Sequence, residues 1–310
     1  MIEPILHHYA NSPFSEKIRL IFGLKRMAWR SVFIPSIMPK PDVLALTGGY
    51  RKTPFLQIGA DIYCDTALMA RVIDGLQLEP PLYPESIALA AQFAQWADST
   101  LFWCAVAWAM QPAGIGAIMG SLATPDGLKA FAADRAAFGA GIRRMTLPDA
   151  AAQLRAHLAA LDQQLRQGGP YLFGPQICIA DFSAAHCLWF IQLAKPVAHV
   201  LDAHPALCSW LARMQAIGHD RHTAMSSTQA IEAARDATEH AAVQVQAGLG
   251  FEAGERVTVA ALDYGTDAVA GELVGLNLNE VVVRRVDERA GTVQVHFPRI
   301  GFQIRKDQAA

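Results

Sequence analysis

The residues best suited to chemistry begin with a serine that follows a short apolar stretch. Ser12, Pro13, Phe14 and Ser15 form the turn after a run that ends at Tyr9. Serine caps helices and proline suits their first position, so a helix is predicted to begin here with Ser12 as its N-cap. The unpaired N–H groups at this end favour an anion, and a serine hydroxyl there can donate a hydrogen bond that raises the thiolate fraction of a bound thiol. An ordinary helix cap is the alternative role for Ser12.

Two further segments are suited to holding a ligand beside that helix start. Thr53-Pro54 opens a predicted strand, where a cis peptide would turn the backbone of Thr53 toward an extended cysteinyl peptide. Asp65-Thr66 opens a later helix, where N–H groups and a hydroxyl suit a carboxylate and Asp65 suits an ammonium group. Taken singly, the first segment also fits a trans-proline strand start, and the second a plain helix cap.

The elements that position these residues alternate between strand and helix. Strands are predicted at 4–9, 29–34, 53–58 and 62–64, with helices from 12 and from 66 to 76. This order is typical of a thioredoxin-like domain, which we place at residues 1–77. In a redox enzyme of that type, Cys-x-x-Cys would stand where this chain has its serine turn.

The remainder of the chain divides by composition into two further units. A proline-rich segment precedes residues 85–247, which are rich in Ala, Leu and Gln and predict an all-helical domain whose last helix lies near 228–245. Residues 251–306 alternate between apolar and polar and predict a small β-barrel or sheet domain of about five strands. The tail also carries residues to which the sequence assigns no role: Tyr264, Arg284, Arg285, His296 and Arg299.

Together these motifs resemble the cytosolic glutathione S-transferase superfamily. In that family a Ser-Pro-Phe turn follows the first strand, a cis-proline opens the third, and an acid-Ser pair opens the third helix. The matching segments here are Ser12-Pro13-Phe14, Thr53-Pro54 and Asp65-Thr66. Residues 174–182 also resemble the capping box of the family's helical domain, although Cys178 replaces the usual Ser or Thr cap. The resemblance covers roughly residues 4–220 and leaves the tail outside.

The resemblance implies a serine-type transferase that acts on glutathione and a small hydrophobic electrophile, as in detoxification, and that forms a homodimer. Ser12 would activate the glutathione thiol, Thr53 would pair with the cysteinyl backbone, and Asp65 with Thr66 would hold the γ-glutamyl end. The glutathione site would contain Ser12, Phe14, Thr53, Pro54, Asp65 and Thr66. Further candidates are Ser15 and Lys52, together with Trp103 and Trp108, which suit either a second-substrate pocket or the helical core.

Charge and composition limit the other classes of function. The net charge is −2, and Arg143-Arg144 and Arg284-Arg285 are isolated basic pairs. The sequence therefore lacks the clustered excess of Lys and Arg that binding to nucleic acid requires. The five cysteines form neither metal-ligand pairs nor Cys-x-x-Cys, so no metal is expected. Pro112 and three glycines interrupt the uncharged segment 99–125. Its longest apolar stretch is therefore shorter than the roughly 18 to 20 residues of a membrane span, and no membrane contact is expected. The first residues lack a signal-peptide pattern, which favours a cytoplasmic protein.

The sequence also allows a non-catalytic function. A chain of this fold could bind glutathione without turnover and use its β-rich tail as a partner-recognition module. Fold resemblance does not separate this alternative from an enzyme, because a fold hosts many functions.

Overall fold

The structure is a computed structural model that describes residues 3–142 and 145–307, so the pair Arg143-Arg144 lies outside the described residues. Its first unit contains four strands, in which β1 pairs in parallel with β2 and antiparallel with β3, and β3 forms a hairpin with β4. The predicted thioredoxin-like fold of this unit is confirmed. The elements are β1 (Ile5–His8), α1 (Pro13–Lys25), β2 (Trp29–Phe33), α2 (Pro41–Thr47), β3 (Phe55–Ile58), β4 (Asp61–Cys64) and α3 (Thr66–Leu76).

The second unit is helical, as predicted. Its seven α-helices are α4 (Ala90–Trp96), α5 (Phe102–Ala109), α6 (Pro112–Met119), α7 (Pro125–Phe138), α8 (Leu147–Gly168), α9 (Ile179–Leu193) and α10 (Pro205–Gln215). A π-helical turn, Ala97–Leu101, joins α4 to α5. The buried carboxylate of Asp181 accepts from the backbone N–H of Cys178 at 3.0 Å, so this half of the capping box forms at the start of α9 although the cap is a cysteine.

Within the described residues, no single helix is both long and apolar enough to cross a membrane. One pair of helices, Ala90–Ala109 with Pro112–Met119, reaches that length and composition only together, and the two are bent by 97°.

The segment after α10 returns to the first unit. Strand β5 (His222–Ala224) pairs in parallel with β2, and helix α11 (Ser227–Arg235) packs against α2. The helix predicted near 228–245 therefore ends ten residues early. Beyond Arg235 the backbone contacts the sheet instead of continuing the helix. The N–H of Ala241 donates to the Asp61 carboxylate at 2.8 Å, and Val245 forms a parallel β-bridge with Leu276.

The tail forms the predicted sheet, and this sheet is continuous with that of the first unit. Its strands are β6 (Arg256–Ala261), β7 (Val269–Leu276), β8 (Glu280–Asp287), β9 (Gly291–Pro298) and β10 (Phe302–Lys306). Strand β9 pairs in parallel with β4, with Ile62 opposite Val295, which gives one sheet in the order β10-β6-β7-β8-β9-β4-β3-β1-β2-β5. Strand β4 is therefore an interior strand.

The described residues form two hydrophobic cores, and the first unit contributes to both. Residues of α1 and α3, such as Ile18 and Met69, share one core with the helical unit. Residues of β3 and β4, such as Phe55 and Ile62, share the other with α2, α11 and the tail. The tail is thus built into the core of the first unit.

A buried histidine lies where the tail joins that unit. His296 of β9 is 1% exposed, and its ring nitrogens lie 3.3 Å from Asp61 of β4 and 3.3 Å from Glu280 of β8. The Tyr63 ring packs on the imidazole at 4.4 Å, and His240 lies 3.5 Å from the same Asp61 carboxylate. Burial lowers the pKa of His296, but its hydrogen bonds to the carboxylates of Asp61 and Glu280 outweigh burial and raise the pKa above the usual 6.5.

This raised pKa predicts that the tail junction weakens as pH rises. The histidine's contribution to stability is fully present below about pH 6.5, the unfolded value, and is lost as pH rises through the folded-state pKa. His296→Gln is expected to cost about 3 kcal/mol at pH 6, because the buried carboxylate of Asp61 and the half-buried one of Glu280 lose their cation. The substitution is also expected to flatten the pH dependence of stability above pH 6.5. Urea unfolding at several pH values measures both effects, with the exposed His199→Gln as control. An unchanged slope in His296→Gln would contradict this assignment.

Candidate active site

The three segments singled out in the sequence meet at one end of the sheet. Strand pairing places His7 opposite Phe55 and Phe55 opposite Cys64, so the residues that follow β1, precede β3 and follow β4 are neighbours. These are the turn at Ser12, the Thr53–Pro54 peptide and the Asp65-Thr66 pair. The Thr53–Pro54 peptide is cis, as the resemblance implies.

Ser12 caps helix α1, as predicted. Its Oγ accepts a hydrogen bond from the backbone N–H of Ser15 at 3.2 Å, and the residue is 2% exposed. Burial raises the pKa of the neighbouring Tyr9 phenol, while the charge of Arg135 and the Ser12 hydroxyl oppose this effect. Because the Ser12 oxygen acts as an acceptor toward Ser15, its own proton remains available to a ligand.

The neighbours of Ser12 in the turn have different environments. The Ser15 side chain is fully buried, and its hydroxyl has no hydrogen-bond partner in the described part of the chain. The ring of Phe14 is half-buried and contacts Phe102 of α5 at 4.6 Å and His186 of α9 at 4.7 Å. Phe14 therefore joins the helix start to the helical unit.

The Asp65-Thr66 pair forms the N-terminus of α3. Asp65 has a φ of 72° and accepts from the N–H of Ala67 at 2.9 Å. Burial raises the pKa of Asp65, while the cations of Lys52 and Lys17 oppose this effect. The Thr66 hydroxyl accepts from Lys17 Nζ at 3.4 Å. A helix N-terminus, a hydroxyl and a buried ammonium thus face one small region, which suits a carboxylate.

An ion pair that sequence reasoning missed joins this region to the helical unit. Lys17 Nζ, in a fully buried side chain, donates to Asp98 of the π-helical turn at 2.5 Å, and His186 Nε2 lies 2.9 Å from the other Asp98 oxygen. Burial raises the pKa of Asp98, but Lys17 and His186 outweigh burial and lower it. Asp98 is therefore ionised beside the Asp65-Thr66 pair. The three residues lie on separate helices, and no local pattern links them.

A group of basic side chains lies near Tyr9. Arg51 donates to Asp134 of α7 at 3.1 Å, and Arg135 pairs with the same carboxylate at 3.0 Å. The ammonium of Lys40 lies 6.0 Å from the Tyr9 ring, and burial, with Arg135 nearby, lowers the pKa of Lys40 to about 8. Three cations near one carboxylate suit an anionic ligand group at this end.

The remaining candidates are divided between the site and the core. Trp103 packs edge-on against Tyr264 of the tail at 5.2 Å, and Lys52 donates to Asp263 at 2.6 Å, so both lie where the three units meet. Trp108 instead donates through its indole N–H to the carbonyl of Val197 at 2.9 Å, within the helical unit. No group of three or more His, Cys, Asp or Glu side chains that could hold a metal occurs in the described ranges.

Comparisons with known proteins agree with this geometry. The glutathione S-transferase N-terminal domain model matches residues 6–81, and the C-terminal domain model matches residues 130–213. A solved GST-like protein from Pseudomonas syringae is 43% identical, with a TM-score of 0.81, and the match covers 99% of this chain and 100% of that one. This chain belongs to the glutathione S-transferase superfamily. No curated protein matches it.

Two less similar solved structures share the fold. The beta-etherase LigF from Sphingobium sp. strain SYK-6 is 18% identical, with a TM-score of 0.52, covering 69% of this chain and 96% of that one. A glutathione S-transferase from Methylobacillus flagellatus, solved with GSH bound, is 17% identical with a TM-score of 0.50, covering 69% and 95%. The match with the Pseudomonas syringae protein covers nearly the whole of both chains, so that protein has a counterpart of the tail.

Proposed function

We propose that this protein is a glutathione transferase in which Ser12 stabilises the thiolate of glutathione for attack on a small hydrophobic electrophile. The observation that carries the proposal is the meeting of Ser12, the cis Thr53–Pro54 peptide and the Asp65-Thr66 pair at one end of the sheet. A cytoplasmic location and a homodimer are further proposals, of which the homodimer rests on the family resemblance.

This arrangement offers complementary polar groups to each part of glutathione. The cysteinyl backbone would pair with Thr53, which lies just before the paired range of β3. The γ-glutamyl carboxylate would take the N-terminus of α3 and the Thr66 hydroxyl, and its ammonium would face Asp65. The glycyl carboxylate would lie toward Lys40, Arg51 and Arg135, whose charges attract an anion. Glutathione would then lie extended across the end of the sheet.

The chemical step follows from the placement of its sulfur at the start of α1. A hydrogen bond from the Ser12 hydroxyl and the positive end of the helix both stabilise the thiolate over the thiol, so the thiol proton passes to solvent. The thiolate attacks an electrophilic carbon, a C–S bond forms, and the leaving group departs with the electron pair of the bond that breaks. The serine stays protonated throughout, because it acts as a donor.

The proposal predicts a lowered thiol pKa for bound glutathione. Thiolate absorbance in the near ultraviolet, followed against pH at saturating protein, is expected to rise at least one pH unit lower than for free glutathione, which corresponds to about 1.4 kcal/mol of stabilisation. Calorimetry establishes saturation, and S-methylglutathione, which has no thiol, is the control. Saturation without any shift in thiolate absorbance would reject the mechanism.

The non-catalytic alternative makes a different prediction. It requires glutathione binding without conjugation across a panel of electrophiles, and a tail that recognises a partner independently of the site. Contacts of the tail with Lys52 and Trp103 support the enzyme, because both residues are candidates for the proposed site and the tail would then be part of it.

A further inference from the structure

The loop between β6 and β7, residues 262–268, contacts both of the other units. Asp263 accepts a hydrogen bond from Lys52 Nζ at 2.6 Å, and Lys52 directly precedes Thr53 in the chain. Asp267 lies 3.9 Å from Arg51. The loop therefore contacts the segment that leads into the cis-proline peptide.

Tyr264 of this loop is buried among aromatic side chains from the helical unit. Its ring is 8% exposed and packs edge-on against Trp103 of α5 at 5.2 Å and Phe138 of α7 at 5.1 Å. The ammonium of Lys52 lies 4.2 Å from the ring centroid, within cation–π range. All three units thus meet on this one side chain.

The aromatic contacts continue from Tyr264 to the start of α1. Trp103 contacts Phe102 at 5.0 Å, and Phe102 contacts Phe14 at 4.6 Å. Phe14 follows Ser12 by two residues. Aromatic rings therefore extend from the proposed sulfur position to the tail loop.

The backbone of the loop is closely fitted to α7. The N–H of Gly265 donates to the carbonyl of Phe138 at 2.9 Å. Gly265 has a φ of +60°, and a Cβ at this position would lie 2.6 Å from the Phe138 ring, so no larger residue fits. The position of Tyr264 is therefore fixed by a close backbone approach.

The charged groups that influence Tyr264 include two carboxylates of the proposed glutathione site, Asp65 and Asp98. Burial raises the pKa of Tyr264 most, and the charges of Asp263, Asp65 and Asp98 raise it further. The phenol is consequently a neutral hydrogen-bond donor at physiological pH. It is close enough to Asp65 and Asp98 to be influenced by the γ-glutamyl end of the site.

We propose that Tyr264, although it belongs to the tail, is a specificity-determining residue of the second-substrate site, where it selects planar aromatic electrophiles. The inference rests on the proposed function. Tyr264, Trp103 and Phe102 provide ring faces and edges against which a planar group can pack. The phenol can also donate to an acceptor substituent on that group, such as a nitro or carbonyl oxygen.

Binding measurements test this role without requiring turnover. Calorimetry gives the affinity of the full-length protein for S-(2,4-dinitrophenyl)glutathione relative to S-methylglutathione, which differ only in the group on sulfur. The wild-type protein is expected to prefer the aromatic conjugate, and Tyr264→Leu to reduce this preference about tenfold with the affinity for S-methylglutathione within twofold. Tyr264→Phe keeps the ring and is expected to lose only part of the preference.

Two further variants complete the experiment. Leu262→Ala, at a side chain 63% exposed in the same loop, is the matched control and should leave the preference unchanged. Trp103→Leu removes the facing ring from the helical unit and is expected to reproduce the loss, which keeps the test valid if Tyr264→Leu does not fold. An unaltered preference in folded Tyr264→Leu or Trp103→Leu, or equal wild-type affinity for both conjugates, would overturn the inference. Absence of a thiolate shift with the aromatic preference intact would instead overturn only the proposed function.

Discussion

A chain that ends at Gly248 is expected to lose the folded N-terminal unit together with the tail. Without β9, strand β4 loses its parallel partner, and the apolar face of β3 and β4 loses the core that it shares with the tail. Phe55 and Ile62 are fully buried in that core. Exposure of four or five side chains of this size costs about 6–15 kcal/mol, which is comparable to the whole stability of a typical domain, about 5–15 kcal/mol.

Thermal unfolding followed by far-ultraviolet circular dichroism measures this loss. The truncated chain is expected to be insoluble or to show no cooperative transition above 25 °C, while a control that ends at Asp307 keeps every strand and should unfold like the full chain. The newly exposed edge of β4 also favours aggregation, which light scattering detects. A soluble truncated protein with a cooperative transition within a few degrees of the full chain would show that the tail is a separable domain.

The thioredoxin-like unit can be located in the sequence because its signals are local. The cap at Ser12, the proline at position 54 and the cap at Asp65 each depend on residues within one turn or strand end. Their meeting follows from the strand order of a known fold. Short motifs together with that strand order are therefore sufficient to predict the candidate glutathione site.

The junction of the tail with β4 has no such local signal. Alternation in β9 shows that one face is buried, but it does not show which strand lies beside it, because Ile62 and Val295 are distant in sequence. The predicted helix near 228–245 was too long for a related reason. Its apolar spacing continues past Arg235, but contacts of Ala241 and Val245 with β4 and β7 take the chain out of helix.

The charged and aromatic groups of the site also depend on tertiary placement. Lys17 and Asp98 read in sequence as ordinary helical charges, yet they form a buried pair. The sequence of the tail assigns no role to Tyr264. Its contact with Trp103 depends on the tertiary packing of the β6–β7 loop against α7, which the sequence does not show. The sequence shows that such residues are charged or aromatic. It does not show which residues of the other units they contact.

The hydroxyl of Ser12 is expected to account for most of the thiolate stabilisation. A hydrogen bond to a charged group is worth about 1.5–3 kcal/mol, so Ser12→Ala should lower kcat/KM by about 10- to 100-fold. The same change should raise the thiol pKa of bound glutathione by about 1–2 units, because the thiolate loses its donor. The affinity for S-methylglutathione, which presents no thiolate, should change little.

A second serine cap separates this catalytic effect from a loss of stability. Ser226 caps α11 through a hydrogen bond from the N–H of Gln229 at 3.2 Å, and it is exposed. Ser226→Ala and Ser12→Ala should each cost about 1 kcal/mol of unfolding free energy as lost caps, but only the second should change turnover and the thiol pKa. Turnover within twofold of wild type in Ser12→Ala, with an unchanged thiol pKa, would leave Ser12 a helix cap only. The thiolate would then depend on the N–H groups at the start of α1, because these are the donors that remain at that helix end.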